Sequence, residues 1–282
     1  MNAARIASLH VYPVKGCRGI DVDRADVAVT GLVTQGAGDR EWMVVDGDRR
    51  FLTQRELPRL ALVTVDVTPD GLRLAAPHMR PCEVAFDAHR DSRDVVVWRS
   101  TVLGADCGDA AADWISDWLA RDVRLVRFDR ARTRECNREF AGDSGAHTMF
   151  ADGYPILVAN AASLAELNAR LVARGHAALP MNRFRPNVVI DGAKAFDEDH
   201  IDTIAVGDVL LRLVKPCTRC QVTTTDQATA RVGVEPLPTL GEFRMDGKLD
   251  GVTFGVNAIV VEGEGRSLAA GAPATFEYRF ER

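Results

Sequence analysis

The sequence predicts a mainly β chain of the α+β class, arranged as two successive units with a few covering helices. Three observations predict it. Short β-branched or alternating segments separated by Gly and Asp turns recur through both halves, only two stretches carry a helical period, and a polar, aperiodic stretch follows Asp129 where the units would meet.

In the first half, "RIASLHVYPV", "REWMVVDGDRRFLTQ", "ALVTVDVTPDGLRLAAP", "CEVAFDA" and "RDVVVW" read as strands, and about 100 residues of this pattern predict a barrel or sandwich. The stretch "DAAADWISDWLA" sets Trp114, Ile115, Trp118 and Leu119 on one helical face, so a helix is expected there, covering a barrel end. The polar "RARTRECNREFAGDSGAH" then predicts a loop at a domain junction, dividing the chain into residues 1–128 and 129–282. The second unit opens with the strand "YPILVAN". Next comes a helix in which Ser163 and Glu166 have capping-box spacing, Leu164, Leu167 and Leu171 face inward, and Gly175 is the stop. Further strands follow in "NVVIDG", "IAVGDVLLRLVKPC", "QVTTTD", "FGVNAIVVEGEG" and "ATFEYRF". No internal repeat or low-complexity tract interrupts them.

Composition excludes some function classes. A hydrophobic share of 46% over 282 residues is enough to bury a sizeable core. A formal net charge of -5 argues against a broad basic face for nucleic acid or acidic lipid. The N-terminus lacks the apolar core of a signal peptide, and no run approaches the roughly 18 apolar residues of a membrane helix. A cytoplasmic protein with no membrane partner is therefore expected. Thiols stay reduced in that compartment, so Cys17, Cys82, Cys107, Cys136, Cys217 and Cys220 are poor evidence for a disulfide framework.

Cys217 and Cys220 stand at C-x-x-C spacing in "KPCTRCQVTTTDQ". A redox dithiol favours a first cysteine that opens a helix, whereas the strand-like "QVTTTD" follows here. Structural zinc needs two further ligands, and the remaining cysteines and histidines are scattered singly. No spacing suits an on-chain iron-sulfur cluster. Small core residues at a strand end remain an open reading. Against it stand Arg219 between the thiols and the cations Lys15, Arg18, Arg40, Arg55, Arg183 and Arg185 beside strand ends. If several converged, they would make a pocket for a phosphorylated anion, and a nearby thiolate would suit a metal carried by that ligand.

"VYPVKGCRG", "GDREWMVVD", "FLTQRELPRL", "FADGYPILVANAASLAELN", "NRFRPNVVIDG", "KPCTRCQVTTTDQAT" and "FGVNAIV" together resemble, in order, the MOSC family with its N-terminal β-barrel domain, the group that includes the mitochondrial amidoxime-reducing component. The resemblance implies an N-terminal β-barrel domain over residues 1–128 and a MOSC β-barrel over 129–282. It implies a molybdenum cofactor, a phosphorylated pterin dithiolene, with Cys220 as the metal ligand and catalytic centre. By the same resemblance Lys15, Gly16, Arg40, Asp152, Gly153, Tyr154, Arg185, Asn187, Thr218, Arg219 and Asn257 line the cofactor pocket. Gly16 and Asn257 depart from the eukaryotic pattern, which has serine and tyrosine there.

The implied activity is reduction of small N-hydroxylated compounds by cleavage of the N–O bond. The implied alternative is a cofactor carrier or sulfur-transfer protein without turnover. Some bacterial relatives carry a C-terminal ferredoxin domain, and this chain ends at Arg282, so electrons are expected from a separate ferredoxin-type or flavin protein. A sulfur or cofactor donor is a further expected partner. His147 is a candidate for proton delivery.

Overall fold

The computed structural model describes residues 4–88 and 91–279, and it is mainly β. A nine-stranded sheet dominates. Its order is Ile20–Val22, Arg5–Val11, Val188–Asp191, Ile156–Asn160, Gly251–Glu262, Val209–Thr218, Ile201–Val206 and Thr275–Tyr278, with Met245–Asp246 also paired to Gly251–Glu262. Ile156–Asn160 and Val188–Asp191 run parallel, and the helix Ala161–Ala173 lies in the crossover such a pair requires. The first strand of the chain therefore lies among strands of the second half, and Ser267–Ala269 likewise pairs with Arg24–Ala28. These ladders tie the two ends of the chain together. Ile6, Leu9, Ile156, Ile190, Leu211 and Leu268 pack into one core beneath them.

The rest of the first half forms an antiparallel sheet, Ser92–Val97, Ser100–Asp106, Arg124–Phe128 and Trp42–Val45, beside a meander of Thr64–Thr68, Gly71–Ala75 and Cys82–Ala85. Among the described residues no ladder closes into a ring. The helix Asp109–Leu119 forms where the apolar period placed it, burying Ile115, Trp118 and Leu119 together with Ala111 and Ala112. Trp114 is half-buried, and its indole N–H donates to the Arg80 carbonyl at 2.7 Å. Strands Arg24–Ala28, Gly31–Thr34 and Arg124–Phe128 were not anticipated. The last expected strand forms as Thr275–Tyr278, and residue 280 lies outside the described residues.

Two local expectations are corrected. "QVTTTD" is not a strand: Gln221–Thr224 is a 3-10 turn, and Thr223 and Thr224 direct their hydroxyls back to the carbonyls of Cys220 and Gln221 at 2.9 and 2.8 Å. Such back-bonding lets threonine hold a turn against its strand preference. The capping box also fails to form. Asn160 caps the helix, its side-chain oxygen accepting from the Ala162 N–H at 3.0 Å. Ser163 is instead fully buried. It donates to Glu198 at 2.7 Å and accepts from the Phe196 N–H at 2.7 Å, fastening the loop that follows Val188–Asp191. Glu166 faces outward and pairs with Arg170.

The cap assignment gives opposite expectations for two substitutions. Asn160→Ala should lower unfolding free energy by about 1–2 kcal/mol. Glu166→Ala, which loses only an exposed pair, should change it by less than about 0.5 kcal/mol. Urea titration followed by circular dichroism measures both, and a larger loss for Glu166→Ala would restore the capping box.

Candidate functional site

A strand defect brings the cysteines into a cleft. Val209–Thr218 pairs with Gly251–Glu262, but the register slips between Leu213 and Lys215 and again between Pro216 and Thr218. Pro216 has no N–H to give the ladder, and bulges of this kind bend a strand and re-aim its end. The chain leaves the sheet at Thr218, so Cys217 is half-buried and Cys220 exposed, both on the wall of one cleft. Arg219 donates to Cys217 Sγ at 2.8 Å and to the Phe184 carbonyl at 2.7 Å, while its Nε is buried with no partner among the described residues. The other cysteines are chemically quieter. Burial pushes the Cys17 and Cys107 thiols up to about 12 and Cys136 to about 11.

The back of the cleft is built on Tyr12. Its buried ring has the Arg40 guanidinium 4.3 Å from its centroid and the Arg185 guanidinium 4.4 Å away. Each cation–π contact contributes about 0.5–2 kcal/mol, whereas removing a charge from water costs several kcal/mol. The contacts alone therefore cannot offset burial. For Arg40 the deficit is met: burial disfavours its charge, but Asp39, together with Tyr12 and Asp152, outweighs burial and raises its pKa. Arg185 has no carboxylate partner among the described residues. Its only side-chain hydrogen bond there is to Gln227 Oε1 at 3.3 Å, and burial with the neighbouring Arg40 charge lowers its pKa to about 10. It is a buried cation short of an anion.

Lys15 and Asp152 form the side wall. Lys15 Nζ donates to the Phe150 carbonyl at 2.8 Å and to Asp152 Oδ1 at 2.5 Å, and Asp152 also accepts from the Trp98 indole N–H at 2.9 Å. Crowding by the walls opposes ionisation of Asp152, but Lys15, Trp98 and Arg40 outweigh it and hold the carboxyl well below the usual carboxylate range. Its side chain is 74% exposed and lines the cleft. Burial lowers the Lys15 pKa, against the pull of Asp152. Arg134, which the sequence reading missed, fixes this loop from behind. It is buried and donates to the carbonyls of Met149 at 3.0 Å, Ala151 at 2.5 Å and Asp152 at 2.9 Å.

The cleft brings together Lys15, Gly16, Arg40, Asp152, Gly153, Tyr154, Arg185, Asn187, Thr218, Arg219, Cys220 and Asn257. Their parts differ. The Asn187 amide is committed to the frame: it accepts from Arg40 at 3.0 Å and from the Leu157 N–H at 3.1 Å, and donates to Asp39 at 2.8 Å and the His10 carbonyl at 3.2 Å. Asn257 donates to the Lys215 carbonyl at 3.1 Å, holding the bulged strand. Tyr154 packs with Cys136, Val214 and Ile259, and its hydroxyl is buried with no partner among the described residues. Gly16 has φ +86, and a side chain there would meet Leu60 at 3.3 Å, so glycine suits this turn.

Of the other cations, Arg55 lines the cleft, while Arg18 and Arg183 brace its rear by donating to the carbonyls of Gln227 and Thr223. His147 is corrected: it lies outside the cleft lining, pairs with Glu135 in a short ladder, and turns its ring to the Gly145 carbonyl at 3.2 Å. Gln54 and Gln227, also missed, join the two halves through reciprocal amide bonds of 3.0 and 2.8 Å.

Arg134→Met should leave three carbonyl groups without their charged donor and cost about 2–4 kcal/mol of stability. Because Asp152 sits on the released loop, hydrogen exchange should also speed up across residues 149–154. Exchange unchanged from wild type would show that the loop holds itself.

Comparison with known proteins matches the MOSC N-terminal beta barrel domain to residues 3–122 and the MOSC domain to residues 145–275. The chain is 34% identical over 246 residues to mitochondrial amidoxime reducing component 2 of Bos taurus, covering 85% of this chain and 72% of that one. It is 33% identical over 247 residues to mitochondrial amidoxime-reducing component 1 of Homo sapiens, with the same coverage of 85% and 72%. The crystal structure of YiiM from Geobacillus stearothermophilus aligns over 68% of this chain and 74% of that one, at 12% identity and a TM-score of 0.32, too low to compare sites. This chain belongs to the MOSC family, in the group that joins a MOSC N-terminal beta barrel domain to a MOSC domain and includes the mitochondrial amidoxime-reducing components.

Proposed function

We propose that the chain binds a molybdenum-bearing, phosphorylated pterin dithiolene and reduces small N-hydroxylated compounds with electrons from a separate redox protein. The observation that carries this reading is one cleft holding an exposed thiol, Cys220, and a buried guanidinium without an anion, Arg185. The side chains fit such a group. Five cations line the cleft against two carboxylates, Asp152 on the wall and Asp39 behind Arg40, and Arg219 Nε is an orphaned buried donor. That excess suits a phosphate and an anionic dithiolene. Among the described residues no group of three or more His, Cys, Asp or Glu side chains is placed to hold a metal ion, so a metal arriving on its own ligand and needing one protein thiolate matches this wall.

When bound, this group supplies a redox-active metal able to accept an oxygen atom from an N–O bond. The chain's own residues do the rest. Arg185 and Arg219 bind the anion, the Tyr12 frame orients it, and Cys220 Sγ anchors the metal. Reductive N–O cleavage consumes two electrons and two protons and releases water. Lys15 Nζ, hydrogen-bonded to Asp152 Oδ1 and eased toward deprotonation by burial, holds a proton at the wall for that step.

Two outcomes test the reading. In protein loaded in a cofactor-competent host, Cys220→Ala should lose molybdenum and activity, while Cys217→Ala keeps most of both. Metal analysis showing the reverse would move the ligand to Cys217. Loaded wild-type protein should not turn over benzamidoxime with NADH alone, and should do so with a chemical reductant or a ferredoxin-type or flavin partner. Turnover with NADH alone would end the partner requirement. Full occupancy with no turnover on any N-hydroxylated compound would leave cofactor carriage as the function.

A further inference from the structure

Trp98 is the least expected residue at the cleft. Val97 pairs with Ser100, so Trp98 is the first residue of a two-residue hairpin turn, and it adopts φ +55. Turns of this kind favour glycine at a positive-φ position, and a bulky side chain there is strained. Trp98 is also 43% exposed, the one exposed large hydrophobic among the described residues that lines the cleft. Strain and exposure are both unfavourable, and their coincidence on a cleft wall points to use of the ring.

The ring is also held still. Its N–H is fixed on Asp152 Oδ1 at 2.9 Å, Phe51 packs at 4.9 Å between centroids with a 56° tilt, and the Arg55 guanidinium stands 4.7 Å from its centroid. Arg55 has Thr53 Oγ1, at 3.2 Å, as its only side-chain hydrogen-bond partner among the described residues. Through Asp152 the indole adjoins the Lys15 ammonium, the proton-holding group of the proposed reaction. A flat substrate resting on the indole would therefore be held beside that group.

We propose that Trp98 is a specificity-determining residue, a fixed aromatic wall that selects flat, conjugated N-hydroxylated compounds over compact aliphatic ones. This rests on the function proposed above and adds the substrate class. A phenyl ring gains stacking contact on the indole, whereas a methyl group gains little. Arg55 keeps this lip positive, which favours neutral or anionic ring substituents over cationic ones.

The test uses the loaded full chain with benzamidoxime and acetamidoxime as probes, in wild type, Trp98→Ala and Trp98→Phe. In wild type the KM for benzamidoxime should be the lower of the two. Trp98→Ala should raise it about tenfold and the KM for acetamidoxime less than about twofold, with kcat lowered for both by loss of the Asp152 hydrogen bond. Trp98→Phe keeps a ring but loses the Asp152 hydrogen bond, so it should retain the KM preference and lower kcat for both compounds. Equal KM increases for both compounds in Trp98→Ala, or none, would overturn the proposal. Binding gives a readout without turnover: benzamidoxime should change wild-type tryptophan fluorescence saturably, and Trp98→Phe should lose that change. Should loaded wild type turn over neither compound nor any other N-hydroxylated one, the reductase reading fails, and the titration still decides whether Trp98 faces a flat ligand.

Discussion

Two arginines share one buried tyrosine ring, and among the described residues only one of them has a carboxylate. This arrangement governs the site. Arg40 and Arg185 contact the same Tyr12 ring at nearly equal distance, yet Asp39 raises the pKa of the first while burial lowers that of the second. Arg40 is part-buried and Arg185 buried, so both give up hydration, but it is Arg40 that has the Asp39 carboxylate at its guanidinium. An unpaired buried guanidinium is costly, and evicting it would leave a void against Tyr12. A bound anion relieves that cost without moving the frame.

The frame needs both halves of the chain. Tyr12 and Asp39 come from the first, Arg185 and Asn187 from the second, and Asn187 bonds Arg40, Asp39 and two backbone groups at once. Pairing of Arg5–Val11 with Val188–Asp191 sets Tyr12 close to Pro186, whose carbonyl accepts from the tyrosine hydroxyl at 3.1 Å. Gly255, at φ +72, lets Gly251–Glu262 approach Val158 so closely that a side chain would lie 2.7 Å from its carbonyl oxygen. The long-range ladders thus convert residues far apart in sequence into one rigid pocket.

Much of this was legible in the sequence. Periodicity located the Trp118 helix, short apolar or alternating runs bounded by turn residues located most strands, and the spread of cations beside strand ends hinted at a common pocket. The failures have physical causes. Threonine hydroxyls after Cys220 closed a turn where β propensity suggested a strand, and a buried need for Ser163 displaced the cap its spacing implied. Arg134, Gln54, Gln227 and Trp98 act through partners 15 to 173 residues away, which no local pattern encodes. His147 read as a candidate only because histidine titrates near neutrality, and its geometry shows it serving its own loop.

A crystal structure of the cofactor-loaded chain tests the central claim most directly, because it locates the phosphate and the metal together. The account predicts a phosphate within hydrogen-bond reach of the Arg185 guanidinium and a metal on Cys220 Sγ. A phosphate held by Arg55 at the mouth, with Arg185 still facing only Gln227, would contradict it.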